Sequence, residues 1–299
     1  MASVLEAAAV VDDVDSRRET PSSNRFPTGL VVIAAVVSIA LRARFLVTPL
    51  TSDEGGYLAV ARAWASGKTL YGQAWVDRPQ GLLVLFRVWD ALTGGSPAAI
   101  RAMAILFGAA AVFAVAYVAF AIAGPRAAAA GGLIVAVASS NARIEGFIAN
   151  GELLAGTLSA AGVAASCAYL LRHGRLRWLF IGGALCGCAV SLKQSGFDGF
   201  LAVMVCIGAG ALTRERNWRQ VAREAGVCVA GFASVLGLLL LHGIVVGFRA
   251  WWYAVAGYRL SGPNASDANW HRFGVTIRLA RPALLPLLVV ATVGVVVWL

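Results

Sequence analysis

Charged residues are scarce in this chain of 299 residues, and this scarcity limits the class of protein that it can form. Only 13% of the residues are charged, whereas 59% are hydrophobic, and the mean hydropathy is +0.76. A soluble domain of this size could not cover its surface with so few polar side chains. The composition therefore predicts an all-α polytopic membrane protein.

Residues that hold transition metals are also few. The chain has three histidines, without metal-ligand spacing, and four of its five cysteines lie within apolar stretches, where thiols usually pack as small hydrophobes. We expect His242 to be packed or hydrogen-bonded rather than a ligand. The sequence assigns no metal-binding residue.

Acidic residues are outnumbered, at 15 against 25 basic ones, which gives a net charge of +10. In a soluble protein this charge would suggest a nucleic-acid partner. Here the arginines cluster in short loops between apolar stretches, as residues that orient membrane proteins do. We therefore predict a lipid bilayer as partner and no nucleic acid.

Residues 28–299 are predicted to form one transmembrane module, because apolar stretches of spanning length recur along them. Residues 1–27 lack hydrophobic periodicity and are predicted to be a disordered cytoplasmic tail. The last stretch reaches the end of the chain, so we expect the module to be truncated at its C-terminus. The eight candidate spans are 29–47, 98–123, 127–139, 153–171, 176–192, 196–213, 225–246 and 282–299.

The basic residues predict how the spans are oriented, because cytoplasmic loops carry the excess of Lys and Arg. With the N-terminus in the cytoplasm, the short outside loops hold only Arg143 and Lys193. This orientation places loops 48–97 and 247–281 outside the cell membrane. The inside loops would hold Arg126, Arg172, Arg175, Arg177, Arg214, Arg216, Arg219 and Arg223.

The two long outside loops have different characters. Loop 48–97 contains a polar segment with helical stretches at 57–64 and 82–92, which are too short to span and are predicted to lie in the membrane interface. Loop 247–281 carries Trp251, Trp252 and Tyr253, which favour the headgroup layer. Arg42, in the last turns of the first span, is expected to extend to the interface.

The polar segment and two later sites resemble a known family. The segment contains Asp53-Glu54-x-x-Tyr57 and then Asp77-Arg78-Pro79-x-Gly81. This ordered set resembles the first extracytoplasmic loop of the GT-C membrane glycosyltransferases, in the branch of protein mannosyltransferases and aminoarabinose lipid A transferases. Further elements that look like the polar motifs of these enzymes are Asn150-Gly-Glu152 and Leu192-Lys193-Gln194-Ser195, and the resemblance covers roughly residues 28–260.

The resemblance implies a GT-C-like helix bundle that moves a sugar from a polyprenyl-phosphate donor to a hydroxyl of a cell-envelope acceptor, either glycan, lipid or protein. Asp53 would act as general base in an inverting displacement, with Glu54 as a second catalytic carboxylate. The remaining residues would bind substrate, with cations on the lipid phosphate. They are Tyr57, Asp77, Arg78, Glu152, Lys193, Gln194 and Arg259.

Simpler interpretations stay open for the same residues. Asp53 and Glu54 could be an acidic pair that interacts favourably with the N-terminus of a helix, and Glu152 could be a single charge of the same kind. Asp77 and Arg78 could form a local ion pair, and Lys193 could be an interfacial anchor. A transporter or flippase of lipid-linked sugars and a catalytically silent assembly subunit are the alternative functions. Some members of the family use a divalent metal, for which Asp53, Glu54, Asp77 and Glu152 offer oxygen atoms, but no cofactor is assigned.

Overall fold

A computed structural model describes residues 25–212, 216–258, 274, 275 and 278. Within these residues the regular structure is helical and no strand is present. The all-α class is thus confirmed. Residues 1–24 of the predicted tail, the eighth predicted span and Arg259 lie outside the described residues. The α-helices are α1 (Thr28–Ala43), α2 (Ser52–Ala65), α3 (Gln80–Thr93), α4 (Pro97–Ala138), α5 (Gly151–Leu170), α6 (Arg177–Leu192), α7 (Asp198–Leu212) and α8 (Trp218–Trp252).

In the part of the chain that the structure describes, three helical stretches are long and apolar enough to cross a membrane: Pro97–Ala138, Gly151–Leu170 and Trp218–Gly257. The last of these includes one turn of π-helix, Tyr253–Gly257, which follows α8. The apolar helices α1, α6 and α7 are shorter. Many large apolar side chains on the outside of the bundle are exposed, and a soluble protein would not leave so much apolar surface uncovered.

Helix α4 contains the turn that the sequence predicts between two spans. Gly124 has a φ of 81° and interrupts the helical geometry, and Pro125 follows it. A positive φ is favourable for glycine, and proline cannot donate the backbone hydrogen bond that a continuous helix would need. Both halves of α4 pack against α1, through a cluster of Val31, Ala34, Ala35, Val112, Ala116 and Ala136.

Glycines allow the middle of the bundle to pack closely. Helix α6 packs against α5 on one side and α8 on the other. A Cβ atom on Gly183 of α6 would overlap the carbonyl group of Cys228, and one on Gly231 of α8 would overlap that of Phe180. Small residues at such crossings let helix backbones approach, which is a common basis of helix association in membranes.

The two helices predicted in loop 48–97 are present as α2 and α3, and they pack against each other. Their inner faces are buried: Tyr57 and Leu58 of α2 meet Leu82, Leu83 and Phe86 of α3 in one core cluster. The start of α4, the start of α5, the end of α6 and the end of α8 also contribute residues to this cluster. The helices are therefore integrated into the bundle, and α2 and α3 form a cap over one of its ends.

Two predicted side-chain positions are wrong. Trp251 was expected in the headgroup layer, but it is only 9% exposed, and its Nε1 donates to Oε1 of Gln80 at 2.7 Å. Arg42 was expected to extend to the interface, but it is 1% exposed. Its guanidinium instead donates to serine and carbonyl oxygens of residues 38, 139, 140 and 146. In both cases a tertiary hydrogen-bond partner holds the side chain inside the protein.

Candidate active site

The start of α2 is built by a capping box. Thr51 precedes the helix and its hydroxyl accepts a hydrogen bond from the Glu54 backbone N–H, while the Glu54 carboxylate accepts from the backbone N–H of Thr51. This reciprocal arrangement is typical where Thr is followed by Glu three residues later. It directs Glu54 inward and leaves the neighbouring Asp53 exposed.

Asp53 belongs to a chain of polar contacts that reaches into loop 66–79. The hydroxyl of Tyr57, one helical turn later, donates to Asp53 Oδ2 at 3.2 Å and accepts from Arg78 Nε at 3.1 Å. Arg78 Nη1 lies 2.8 Å from Asp77 Oδ2, and the guanidinium also lies 5.8 Å from the centre of the Tyr57 ring. One tyrosine thus joins an exposed carboxylate to a cation.

The surroundings of Tyr57 and Arg78 raise the pKa values of both side chains. Burial raises the pKa of Tyr57 to about 12, with Asp53 adding to the rise and Arg78 opposing it. Burial tends to lower the pKa of Arg78, but its interactions with Tyr57, Asp77 and Asp53 outweigh that effect and hold the pKa above its ordinary value. At neutral pH Tyr57 therefore keeps its proton and donates a hydrogen bond to Asp53, while Arg78 stays positive.

A second pair of charges lies where the start of α5 meets the end of α6. Glu152 is in the first turn of α5, behind the N-cap Asn150, whose side chain accepts from the Leu153 backbone N–H. Lys193 ends α6, and its Nζ forms an ion pair with Glu152 Oε1. A cavity of about 260 Å³ lies beside Glu152.

Gln194 connects the Asp77–Arg78 pair with the neighbouring Glu152–Lys193 pair. Its Nε2 donates to the carbonyl of Val255 at 2.8 Å and to that of Asp77 at 3.4 Å. The Arg78 charge also interacts electrostatically with Glu152. Seven predicted residues are thereby brought to one end of the bundle, and three carboxylates and two cations are among them: Asp53, Tyr57, Asp77, Arg78, Glu152, Lys193 and Gln194.

Glu54 has a different position from the one expected of a catalytic residue. Its side chain is fully buried and its Oε2 lies 3.0 Å from Nη1 of Arg101 at the start of α4. Its Oε1 accepts from the backbone N–H of Ala149 at 2.8 Å. Glu54 therefore joins α2, α4 and the segment before α5. That Glu54 acts in catalysis stays a prediction, and the structure shows both of its carboxylate oxygens bonded within the core.

Sequence reasoning gave no role in the site to three residues that support it. Arg101 is one, and the signal was a lone arginine in the second turn of an apolar helix. Gln80 is the second: it accepts from Trp251, and its Nε2 donates to the carbonyl of Leu239 at 2.6 Å. Tyr71 is the third, and its hydroxyl donates to the carbonyl of Arg78 at 2.9 Å. The contacts of Gln80 and Tyr71 hold the loop that carries Arg78, and Arg101 holds Glu54 at the start of α2.

The four carboxylates considered as metal ligands do not gather into one site. Glu54 is bonded to Arg101, and Glu152 is paired with Lys193. Among residues 25–212 and 216–258, no group of three or more His, Cys, Asp or Glu side chains is arranged to hold a metal ion. The described part of the chain therefore offers Asp53 as an exposed carboxylate without offering a metal-binding cluster around it.

Comparison with models of known protein families finds no match to this chain, and comparison with curated proteins finds none either. The functional interpretation therefore rests on the geometry of the site and on the resemblance of its motifs.

Proposed function

We propose that this chain is a membrane glycosyltransferase with a GT-C-like bundle, which transfers a sugar from a polyprenyl-phosphate donor to a hydroxyl of a cell-envelope acceptor. In this proposal it lies in the plasma membrane with its N-terminus in the cytoplasm and the Asp53 end of the bundle outside. The observation that supports it best is the Asp53–Tyr57–Arg78 chain, which puts a carboxylate and a cation side by side at one end of apolar helices.

Asp53 is the group that would activate the acceptor. A sugar or lipid hydroxyl has a pKa far above neutral, so a carboxylate in hydrogen-bond reach is needed as general base. Asp53 takes the proton of the acceptor hydroxyl, and the hydroxyl oxygen bonds to the anomeric carbon. The bond between that carbon and the phosphate oxygen breaks, and its electron pair goes to the phosphate. The configuration at the anomeric carbon is inverted in the product. The departing lipid phosphate needs little protonation, so a second acid is not required.

Arg78 and Lys193 are the groups that would stabilise the departing phosphate. Negative charge develops on the phosphate oxygens as the bond breaks, and fixed cations lower the energy of that state. Arg78 is held by Tyr57 and Asp77 and can meet phosphate oxygens with its planar fork, whereas Lys193 offers a point charge. Asp77 and Glu152 hold these two cations by ion pairs, and Gln194 donates to the carbonyl of Asp77.

The experiment is a transfer assay with reconstituted protein, radiolabelled polyprenyl-phosphate pentoses and hexoses, and cell-envelope membranes as acceptor. Asp53→Asn keeps the shape of the side chain and removes the base, so transfer should fall by about a hundredfold or more. Asp90→Asn is the matched control, since it changes an aspartate of the same loop that is paired with Arg62 instead. Its transfer rate should stay close to that of the wild type.

The outcomes also separate the alternatives. Transfer that is unchanged in Asp53→Asn would remove Asp53 from the mechanism. Uptake of the labelled lipid across the bilayer without transfer to an acceptor would favour a transporter or flippase. Absence of both activities from a folded protein would favour an assembly subunit.

A further inference from the structure

A second cavity, of about 420 Å³, lies at the opposite end of α2 from Asp53. Trp64, Lys68, Arg87 and Val245 line it, together with neighbouring residues of the same segments, and no acidic residue is among the described residues of its wall. Trp64 is 11 residues after Asp53, which is about 17 Å along a helix. The cavity shares no lining residue with the candidate active site.

Arg87 is held in place at this cavity by an aromatic ring. Its guanidinium carbon lies 4.6 Å from the centre of the Trp64 ring, and the side chain is half-buried. Among residues 25–212 and 216–258 it has no recorded hydrogen bond or ion pair. Stacking on tryptophan restrains the guanidinium while its N–H groups stay available. Arg87 is thus arranged to receive an anion.

The acidic residue one turn further along α3 does not neutralise Arg87. Asp90 is bound by Arg62 of α2, which donates to its two carboxylate oxygens at 2.7 and 2.9 Å. Arg62 also donates to the carbonyl of Gly94. Arg62 and Asp90 therefore neutralise each other, and the positive charges of Arg87 and of the exposed Lys68 both lie at the cavity.

The other wall of the cavity is apolar and continues as an exposed face of α8. Val245 is 83% exposed, and Leu241 and Leu238 on the preceding turns are 61% and 67% exposed. They belong to the stretch Trp218–Gly257 that is long enough to cross a membrane. A ligand that combines an anionic head with apolar chains would place the head between the two cations and the chains along α8.

We infer that this cavity binds a phosphate-bearing anion between Lys68 and Arg87, and the adjoining apolar face favours a phospholipid head group over free phosphate. A phosphate diester carries one negative charge shared by two non-bridging oxygens, so Lys68 and Arg87 can each donate to one of these oxygens, and the cavity of about 420 Å³ has room for the glycerol next to the phosphate. The site is separate from the proposed sugar transfer and does not depend on it.

Native mass spectrometry of the full chain in detergent tests this site, with short-chain phosphatidylglycerol as the probe. The wild type should bind one molecule, and the double variant Lys68→Gln with Arg87→Gln should bind it about tenfold or more weakly, because two charge-assisted contacts are lost. The matched control is Arg175→Gln with Arg177→Gln. It removes the same charge, and Arg177 also lies over a tryptophan ring, that of Trp178, at 5.7 Å.

Two further probes identify the source of the phosphate. Inorganic phosphate in excess should not displace the lipid if the apolar chains contribute, whereas full displacement would reassign the site to free phosphate. Phosphatidylcholine, which has no net charge, should bind more weakly than phosphatidylglycerol.

The inference is overturned if the Lys68 and Arg87 variant binds phosphatidylglycerol as the wild type does, or if the control variant loses the same affinity. Size-exclusion chromatography and circular dichroism show whether the double variant is folded. If it is not, Lys68→Gln alone alters one exposed side chain, and by itself it should still weaken binding several-fold.

Discussion

Removing the charge of Glu54 should destabilise the whole bundle, although the residue lies only one position from the exposed Asp53. The side chains of Glu54 and Arg101 are 0% and 2% exposed, and Oε2 lies 3.0 Å from Nη1. Glu54→Gln leaves the Arg101 charge buried without a counter-charge. Breaking one side of such a pair costs about 3–5 kcal/mol. For a domain of this size that cost corresponds to a fall in Tm of roughly 10 °C.

The assay is thermal unfolding of the detergent-solubilised chain, followed by circular dichroism. Arg101→Gln should lower Tm by a similar amount. The double variant should lose less than the sum of the two, since neither charge is then left alone in the core. The matched control is the Arg62–Asp90 pair, in which the arginine side chain is 51% exposed. Breaking that exposed pair should cost less than about 1 kcal/mol.

Two outcomes would refute this reasoning. One is a Tm for Glu54→Gln that falls no further than that of Arg62→Gln. The other is a double variant in which the two single losses simply add, because that would show that the charges of Glu54 and Arg101 are not coupled.

Two further perturbations test other parts of the site. Gly81→Ala would place a Cβ against the hydroxyl and carbonyl oxygens of Ser191, so it should destabilise the protein by about 1–3 kcal/mol. The control Gly55→Ala meets nothing within 4 Å and should stabilise α2 by about 0.5–1 kcal/mol. Equal Tm shifts in the two variants would contradict the close approach of α3 and α6. The pKa of Tyr57 is raised from 10.0 to about 12, so its contribution to stability is fully present below pH 10 and is lost as the pH rises towards 12. Tyr57→Phe should therefore make the decline of Tm in that pH window less steep, and it should remove one phenol that titrates late from the tyrosinate absorbance. An absorbance titration that is unchanged between pH 10 and 12 would show that Tyr57 does not ionise in that window.

Local sequence patterns predicted much of the helical framework. Apolar stretches gave the approximate positions of α1 and α4 to α8, because membrane helices need long runs without charge. The Gly124-Pro125 turn within α4 was readable from its residues. The spacing of Asp53 and Tyr57 also follows from sequence alone, since residues four apart lie on one face of a helix.

Long-range packing decided which of these side chains are exposed. Asp53 and Glu54 are adjacent, but a helix turns by about 100° per residue, so one carboxylate faces outward and the other faces inward. Glu54 meets Arg101 and the Ala149 backbone N–H, which are 47 and 95 positions away in sequence. No local pattern contains these distances.

The sequence by itself therefore determined the helical class, the apolar stretches and the polar residues that were candidates for a site. The tertiary structure alone decided that Glu54 supports the core while Asp53 stays exposed, that Tyr57 joins Asp53 to Arg78, and that Glu152 pairs with Lys193 across 41 positions. The physical reason is that a side chain's burial and partners depend on which helix ends meet at the same end of the bundle.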